Sequence, residues 1–455
     1  MDHAAAYIST SAFIFFLSFK PSEPYLTQYL TEIKGLTDDQ VNNAVYPIDT
    51  YGSTFLLVLL AAAKVFGTAK SSCRRLSGDK TLILVGVLGR LATRLLLLFG
   101  GSVEAMQLAE LTYAWGYITE VAFFAYVLKV VPPQQSQRLT AITQSCYLLA
   151  HTSAGVIGDL LLAWTDIGLS GLMAISACSV FTAAAIACTF RSVDAGVPCM
   201  LARPAVAFRN VYYMRQFWIS TLWWSLNYGV YIIVYGYEAS LYAEYLRDGA
   251  GLNGTIFAVG LLSGAAASLV LSFPSVEHGA TRSSLSTFIV LGTIMACAGG
   301  AMGRAPRNEW CLAVSFAVFF VAWSFGNTLF FGETRRVIDC AIAGGSVMEG
   351  ESLAAMMISA VFMVNSAIAS VVETSLTAIM FTWRRLNIAL VFQDLAMLQG
   401  ITTVLVLLLF VFVLMKRCIS PTQDQEADDM QCPLQAGLGL PAVTVQCGLR
   451  TRGSA

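Results

Sequence analysis

Charge is what this sequence has least of. Only 12% of its 455 residues are Asp, Glu, Lys or Arg, while 56% are hydrophobic. Ordinary globular chains run near a quarter charged, so a soluble domain is excluded. The formal net charge of −1 says nothing about partners, and no nucleic-acid partner is expected of a chain this apolar. Histidine is rarer still: His3, His151 and His278 lie far apart in the chain. The 11 cysteines are scattered, mostly inside apolar segments (Cys146, Cys178, Cys188, Cys297), and form no CxxC pair. Neither a zinc site nor a disulfide framework is implied. Nucleophile elbow, phosphate-cradling loop and metal cluster are missing as well, so no catalytic residue, metal or cofactor is expected. MDHAAAYISTSAF lacks a basic n-region and runs into the polar KPSEP, unlike a cleaved signal peptide.

What is present instead is apolar sequence in long runs, such as TFLLVLLAAAKVFG, TLILVGVLGRLATRLLLLFG and ITTVLVLLLFVFVLM, with a mean hydropathy of +0.67. About 20 apolar residues cross a bilayer core of roughly 30 Å. Twelve candidate spans begin near residues 8, 46, 81, 106, 139, 170, 216, 252, 283, 309, 354 and 396. The expectation is an all-α membrane protein embedded in the lipid bilayer. A linker over 191–215 separates six spans in residues 1–190 from six in 216–417, and the polar segment 418–455 reads as a disordered cytoplasmic tail. Two six-helix halves resemble the major facilitator superfamily fold, where substrate sites lie near mid-membrane between the halves.

Orientation follows from Lys and Arg placement. With the N-terminus inside, Lys70, Arg74, Arg75, Lys80, Arg138, Arg191, Arg203, Arg209, Arg282, Arg335, Arg336, Lys416 and Arg417 fall on the cytoplasmic side. Lys34, Arg247, Arg304, Arg307, Arg384 and Arg385 fall outside. Both termini are expected in the cytoplasm. The sequon at Asn253 lands outside, where it could be glycosylated.

An ionisable side chain in a span is costly and usually faces protein or a watery cavity. On the fourth span, MQLAELTYAWGYITEVAFFAYVLKVV, helical periodicity puts Glu110, Tyr113, Tyr117 and Glu120 on one face. The two carboxylates are about 15 Å apart along that stripe. Either the stripe lines a cavity, or Glu110 is solvated at the outer end and Glu120 bonds a neighbouring helix. Arg90 and Arg94, one turn apart on the third span, each need a carboxylate or an aqueous path. Structural pairing with an acid on the second or fourth span is the expectation, with snorkelling open to Arg94. On the seventh span Trp224, Tyr228, Tyr231, Tyr235 and Glu238 share a face. Such a face holds flat or cationic ligands, each contact contributing about 0.5–2 kcal/mol; the bland alternative is an interfacial aromatic belt. Gly260, Gly264 and Ser268 are read as a close helix contact.

The first span breaks off into FKPSEPYLTQYL. Two prolines remove ladder hydrogen bonds and can unwind a span only where backbone meets protein or water. With that stretch, the chain resembles the folate and thiamine carrier family of the major facilitator superfamily, and within it the thiamine transporters. The family's Arg-Pro-Ser-Glu-Pro-Phe-Leu pattern is matched by Lys20–Leu26. Further matches are DDQVNNAVYPIDTY, LLLLFG…MQLAELTY, EVAFFAYV, LWWSL and VFMVNSAIASVVETSL, spread over both halves.

The resemblance implies that Glu23 is presented to a central cavity with Lys20 balancing it. It also divides the family by charge. Folate carriers place an arginine ten residues after the fourth-span glutamate and a lysine in the eleventh span; here those positions are Glu120 and Glu373. Asp49 and Phe123 stand where thiamine carriers have tryptophan and tyrosine. Acids at 120 and 373 would repel a dianionic folate and attract a thiazolium, one charge pair at 4 Å amounting to about 4 kcal/mol at an effective dielectric near 20. The expectation is thus a monomeric plasma-membrane importer of thiamine or a related small organic cation. The alternatives are an organic-anion carrier using Arg90 and Arg94, or a nutrient sensor that does not transport.

Overall fold

The computed structural model describes residues 3–37, 40–66, 78–192, 211–212, 215–245, 253–273, 284–304, 308–342, 347–384, 386 and 388–419. Most of the 191–215 linker and residues 420–455 of the expected tail lie outside the described residues.

The first helix, α1 (His3–Ser18), stops just before the two prolines. Pro21 and Pro24 cannot donate to the ladder, and the chain continues as a 3-10 turn (Glu23–Tyr25), one α-helical turn (Leu26–Gln28) and a π-helical turn (Tyr29–Ile33). There follow α2 (Pro47–Phe66), α3 (Asp79–Phe99), α4 (Val103–Val130), α5 (Pro133–Trp164) and α6 (Gly168–Cys188). The second half is built from α7 (Arg215–Tyr245), α8 (Asn253–Val270), α9 (Ser284–Arg304), α10 (Glu309–Ile342), α11 (Val347–Thr377) and α12 (Ile388–Ile419). Local chemistry marks the starts: Ser102 caps α4 by accepting from the Ala105 N–H at 3.2 Å, and α5 opens with proline, whose missing N–H costs nothing there.

Among the described residues, seven helices hold a stretch long and apolar enough to cross a membrane: α3, α5, α6, α9, α10, α11 and α12. Helices α1, α2, α4, α7 and α8 are not among them. The helices pack as two groups, α1 with α5 and α6 and α3 with α4 in the first, α8 with α10 and α9 with α12 in the second. The groups meet where α2 lies on α11 and α5 lies on α8 and α10. This is a major facilitator arrangement.

Glycine sets the closest approaches. A Cβ on Gly86 would collide with Thr119 Oγ1 and lie 3.0 Å from the Trp115 carbonyl, and one on Gly89 would lie 2.8 Å from the Thr112 carbonyl, so α3 and α4 touch almost backbone to backbone. Likewise Gly260 faces Phe316 and Gly264 faces Ser324, so the small-residue stripe of α8 seats α10.

The end of the bundle that holds the start of α3 and the end of α4 is sealed by polar and aromatic contacts between the halves. Asp79, on the first turn of α3, is ion-paired with Lys129 and, at 3.3 Å, with Lys64. Ser359 of α11 donates to Asp79 at 2.8 Å and accepts from Lys129 Nζ at 2.8 Å. Gln137 Nε2 reaches the Thr328 carbonyl of α10 at 3.1 Å. Beneath them Phe124, Phe331 and Phe362 form a chain with 5.0 Å between successive ring centroids. Replacing Asp79 with Asn removes the carboxylate that Lys129 and Lys64 share, and breaking a buried ion pair from one side costs about 3–5 kcal/mol. Thermal unfolding in detergent should show Asp79→Asn clearly destabilised, with a surface Lys80→Ala variant close to wild type.

Candidate functional site

The break in α1 places Lys20, Ser22 and Glu23 inside the first half. Lys20 is 3% exposed, and its Nζ donates to Glu23 Oε1 at 3.1 Å and to the Tyr113 hydroxyl at 3.3 Å. The Tyr113 hydroxyl in turn donates to Glu23 Oε1 at 3.3 Å. Arg94 binds the other oxygen of Glu23 and also touches Ser22 Oγ at 3.4 Å. Arg90 is ion-paired with Glu120 and donates through Nε to the Gly116 carbonyl at 3.1 Å. Its side chain lies across Gly116, where any Cβ would collide with it. The Tyr113 ring sits between two cations, Lys20 at 5.3 Å and Arg90 at 5.2 Å from its centroid. One connected network therefore runs Arg94–Glu23–Lys20–Tyr113–Arg90–Glu120.

Facing it, α7 contributes an aromatic wall. Trp224 is stacked on Phe330 at 4.9 Å and donates through Nε1 to Asn327 Oδ1 at 2.8 Å. Tyr228 lies 5.1 Å from Trp224, and Tyr231 stacks on Trp323 at 4.8 Å. Tyr235 meets His151 Nδ1 of α5 at 3.3 Å, and Tyr147 packs on the same imidazole at 4.7 Å. The hydroxyls of Tyr117 and Tyr228 are hydrogen-bonded, which joins α4 to α7 across the two halves. These rings face protein along the length of α7, so they are not a belt at the membrane surfaces.

Three further carboxylates, Asp49, Glu110 and Glu373, form no ion pair among the described residues. Glu110 is 7% exposed, and Asp49 Oδ1 is sealed from solvent without a hydrogen bond. Glu373, on α11, presses its backbone against α7 beside Tyr228: a Cβ on Gly229 would meet Glu373 N at 3.2 Å.

The structure differs from the sequence expectation at three residues, Phe123, Glu120 and Arg94. Phe123 does not line this space; it is fully buried in the first half's core, 5.0 Å from Phe13 and 6.4 Å from Phe190. Past Glu120, α4 leaves the polar space and enters the sealed end, so its next turn packs. The negative field assigned to Glu120 is cancelled locally by Arg90. Arg94 pairs with an acid of the broken first span rather than the second or fourth. The side chains of Glu238 and Asn253 lie outside the described residues. Trp323, Asn327, Tyr147 and His151 were not anticipated; the i, i+4 pair Trp323 and Asn327 on one face of α10 was the available signal.

Comparison with known proteins gives a consistent relationship. Residues 3–199 match the family model described as reduced folate carrier. Thiamine transporter 2 of Macaca fascicularis is 34% identical over 172 residues, a match spanning 38% of this chain and 33% of that protein. Thiamine transporter 1 of Homo sapiens is 24% identical over 432 residues, 81% of each chain. Folate-like transporter 2 of Caenorhabditis elegans is 22% identical, covering 81% of this chain and 87% of its own. Among solved structures, the human organic anion transporter MFSD10 superposes with a TM-score of 0.58 at 13% identity, over 88% of this chain and 98% of that one. The E. coli fucose:proton symporter FucP gives 0.55 at 10% identity, over 90% and 99%. Those two share the fold.

The Arg90–Glu120 contact is testable by a double-mutant cycle. Glu120→Gln and Arg90→Gln should each destabilise the purified protein, and the double variant should recover about 2 kcal/mol of coupling. Additive losses would mean that the two side chains do not interact.

Proposed function

As the chain is a relative of the reduced folate carriers and the thiamine transporters, we propose that it carries an organic cation of the thiamine type across a membrane. The observation that supports this is the aromatic wall of α7, with Glu373 of α11 packed against it and with Asp49 and Glu110 likewise outside any described ion pair. A flat cation gains from both, by stacking and cation–π attraction on the rings and by Coulomb attraction to the acids. The anion-carrier alternative needs free cations. Arg90 and Arg94 are held by Glu120 and Glu23, so an anion would have to break those pairs first.

In this reading the substrate enters from the end opposite the Asp79–Lys129 seal and rests between Tyr113 and Tyr117 of α4 and Tyr228 of α7. The Tyr117–Tyr228 contact ties the halves together and parts as they rock, while the seal opens on the other side. The Lys and Arg distribution supports a cytoplasmic side for the sealed end, and the reading takes the plasma membrane as the protein's location. An inside-negative potential then favours entry of a monovalent cation by about 2.3 kcal/mol per 100 mV.

Radiolabelled thiamine uptake into proteoliposomes tests this. Saturable uptake that excess unlabelled thiamine abolishes and folate does not is the expected result. Tyr228→Ala should raise the half-saturating concentration about tenfold, the loss of one stacking face. Saturable folate uptake indifferent to thiamine would overturn the proposal.

A further inference from the structure

Helices α1 and α6 are pinned together in the middle of the first half and separate towards one end. Ser179 Oγ of α6 donates to the Phe16 carbonyl at 2.7 Å, and the Ser22 hydroxyl, in the break after α1, donates to Ser176 Oγ at 2.8 Å. In the other direction a groove of about 550 Å³ opens between the two helices.

The groove lies at the sealed end. Helix α1 begins there, since the Tyr7 hydroxyl reaches the Gln135 carbonyl in the first turn of α5 at 3.5 Å. Helix α6 ends there, since Lys80 Nζ of α3 donates to the Cys188 carbonyl at 3.1 Å. The groove thus opens between Ala5 and Thr189 and closes towards Ala12 and Thr182, two helical turns or about 10 Å deeper. That depth is less than half of a bilayer core of roughly 30 Å, so it falls within one leaflet.

The lining chemistry narrows the occupant. Three hydroxyls border the groove, and each already donates within its own helix: Ser9 to the Ala6 carbonyl at 3.3 Å, Thr182 to Cys178 at 2.9 Å and Thr189 to Ile186 at 2.7 Å. What the walls present is methyl and methylene surface, completed by alanines and the two isoleucines Ile8 and Ile186. A polar solute or an ordered water gains little from such walls, whereas a hydrocarbon chain makes dispersion contacts on both sides. The volume is within the roughly 300–1,000 Å³ that a single bound small molecule fills.

Charge at the mouth says what the chain is attached to. Lys80 stands at the carbonyl end of α6, where it screens a helix terminus that would otherwise repel an anion. Arg191 follows directly after α6 and is exposed. Neither side chain forms an ion pair among the described residues, and the neighbouring Asp79 is engaged by Lys64 and Lys129. Two cations at the level of the bilayer surface, over a hydrocarbon-lined groove, complement an anionic headgroup above an acyl chain.

We propose that the groove between α1 and α6 binds one anionic glycerophospholipid, with an acyl chain between the helices and the phosphate at Lys80 and Arg191. The site lies outside the central cavity, so the proposal stands apart from the organic-cation reading. The lipid packs on α1, the helix whose broken end presents Lys20 and Glu23.

Native mass spectrometry of the delipidated, full-length protein tests this, with phosphatidylglycerol and phosphatidylcholine of identical acyl chains as probes. One phosphatidylglycerol should bind saturably, at about a tenth of the concentration that phosphatidylcholine needs. Lys80→Ala combined with Arg191→Ala should remove that preference and leave the weaker binding that both lipids share. Ala185→Phe, which fills the groove from an exposed position, should abolish saturable binding of both at an unchanged melting temperature. Equal binding of the two lipids by the wild type overturns the proposal, as does phosphatidylglycerol binding that survives Ala185→Phe. Should that variant fail to fold, the charge variant decides alone: a preference that persists in it overturns the proposal.

Discussion

A guanidinium cannot give up its charge inside a membrane, and α3 carries two of them one turn apart. Much of the first half is arranged around that constraint. Arg94 needs a carboxylate at its own depth, and the proline-broken end of α1 delivers Glu23 there. Arg90 needs another, and α4 supplies Glu120 only because glycines let the two helices come nearly backbone to backbone. An unbroken α1 would keep Glu23 on a regular helical face, and a side chain at 116 would expel the Arg90 stem. The arginines thus fix how α1, α3 and α4 meet, and by engaging two acids they decide which acids remain for a ligand.

Much of this was legible from residue order alone. The apolar runs mark the helices, the prolines mark the end of α1, and helical spacing puts the phenols of α4 and the rings of α7 on faces. These are local properties, written in periodicity and backbone chemistry. Pairing was harder to read. That Arg90 would find an acid on α4 was foreseeable, since each buried arginine demands one; that Arg94 would take Glu23 depended on how far the chain turns after Pro21. Phe123 shows the same limit from the other side. Its spacing continues the polar stripe, yet depth decides its surroundings, and at its level the two halves close and α4 packs. His151 gave no signal at all, because a lone histidine acquires meaning only from the tyrosines that surround it.

The two ends of the bundle use different chemistry. At the sealed end a buried carboxylate, a buried ammonium and a serine from the opposite half satisfy one another over rows of packed phenylalanine. Such a contact is either complete or broken, with little between. At the site the halves are joined by a phenol–phenol hydrogen bond and by α2 threonine contacts to α11, which are weaker and close to unpaired acids. In the proposed reading, a cation placed there would contact both halves at once. That is a differential interaction of the kind a ligand needs in order to shift a conformational equilibrium.

Under the proposed organic-cation reading, selectivity against anions has two parts. The acids repel: at an effective dielectric near 20, each like-charge pair at 4 Å opposes binding by about 4 kcal/mol. The cations that could answer are already engaged, so recruiting Arg90 or Arg94 strands Glu120 or Glu23 as a bare buried carboxylate, itself a cost of roughly 3–5 kcal/mol. An anion therefore meets repulsion from the free acids and a penalty for freeing the bases. A cation meets neither, and it can reach the rings without disturbing a single ion pair. Rejection by structure already in place is the more durable form of specificity, because it does not depend on how well the preferred ligand fits.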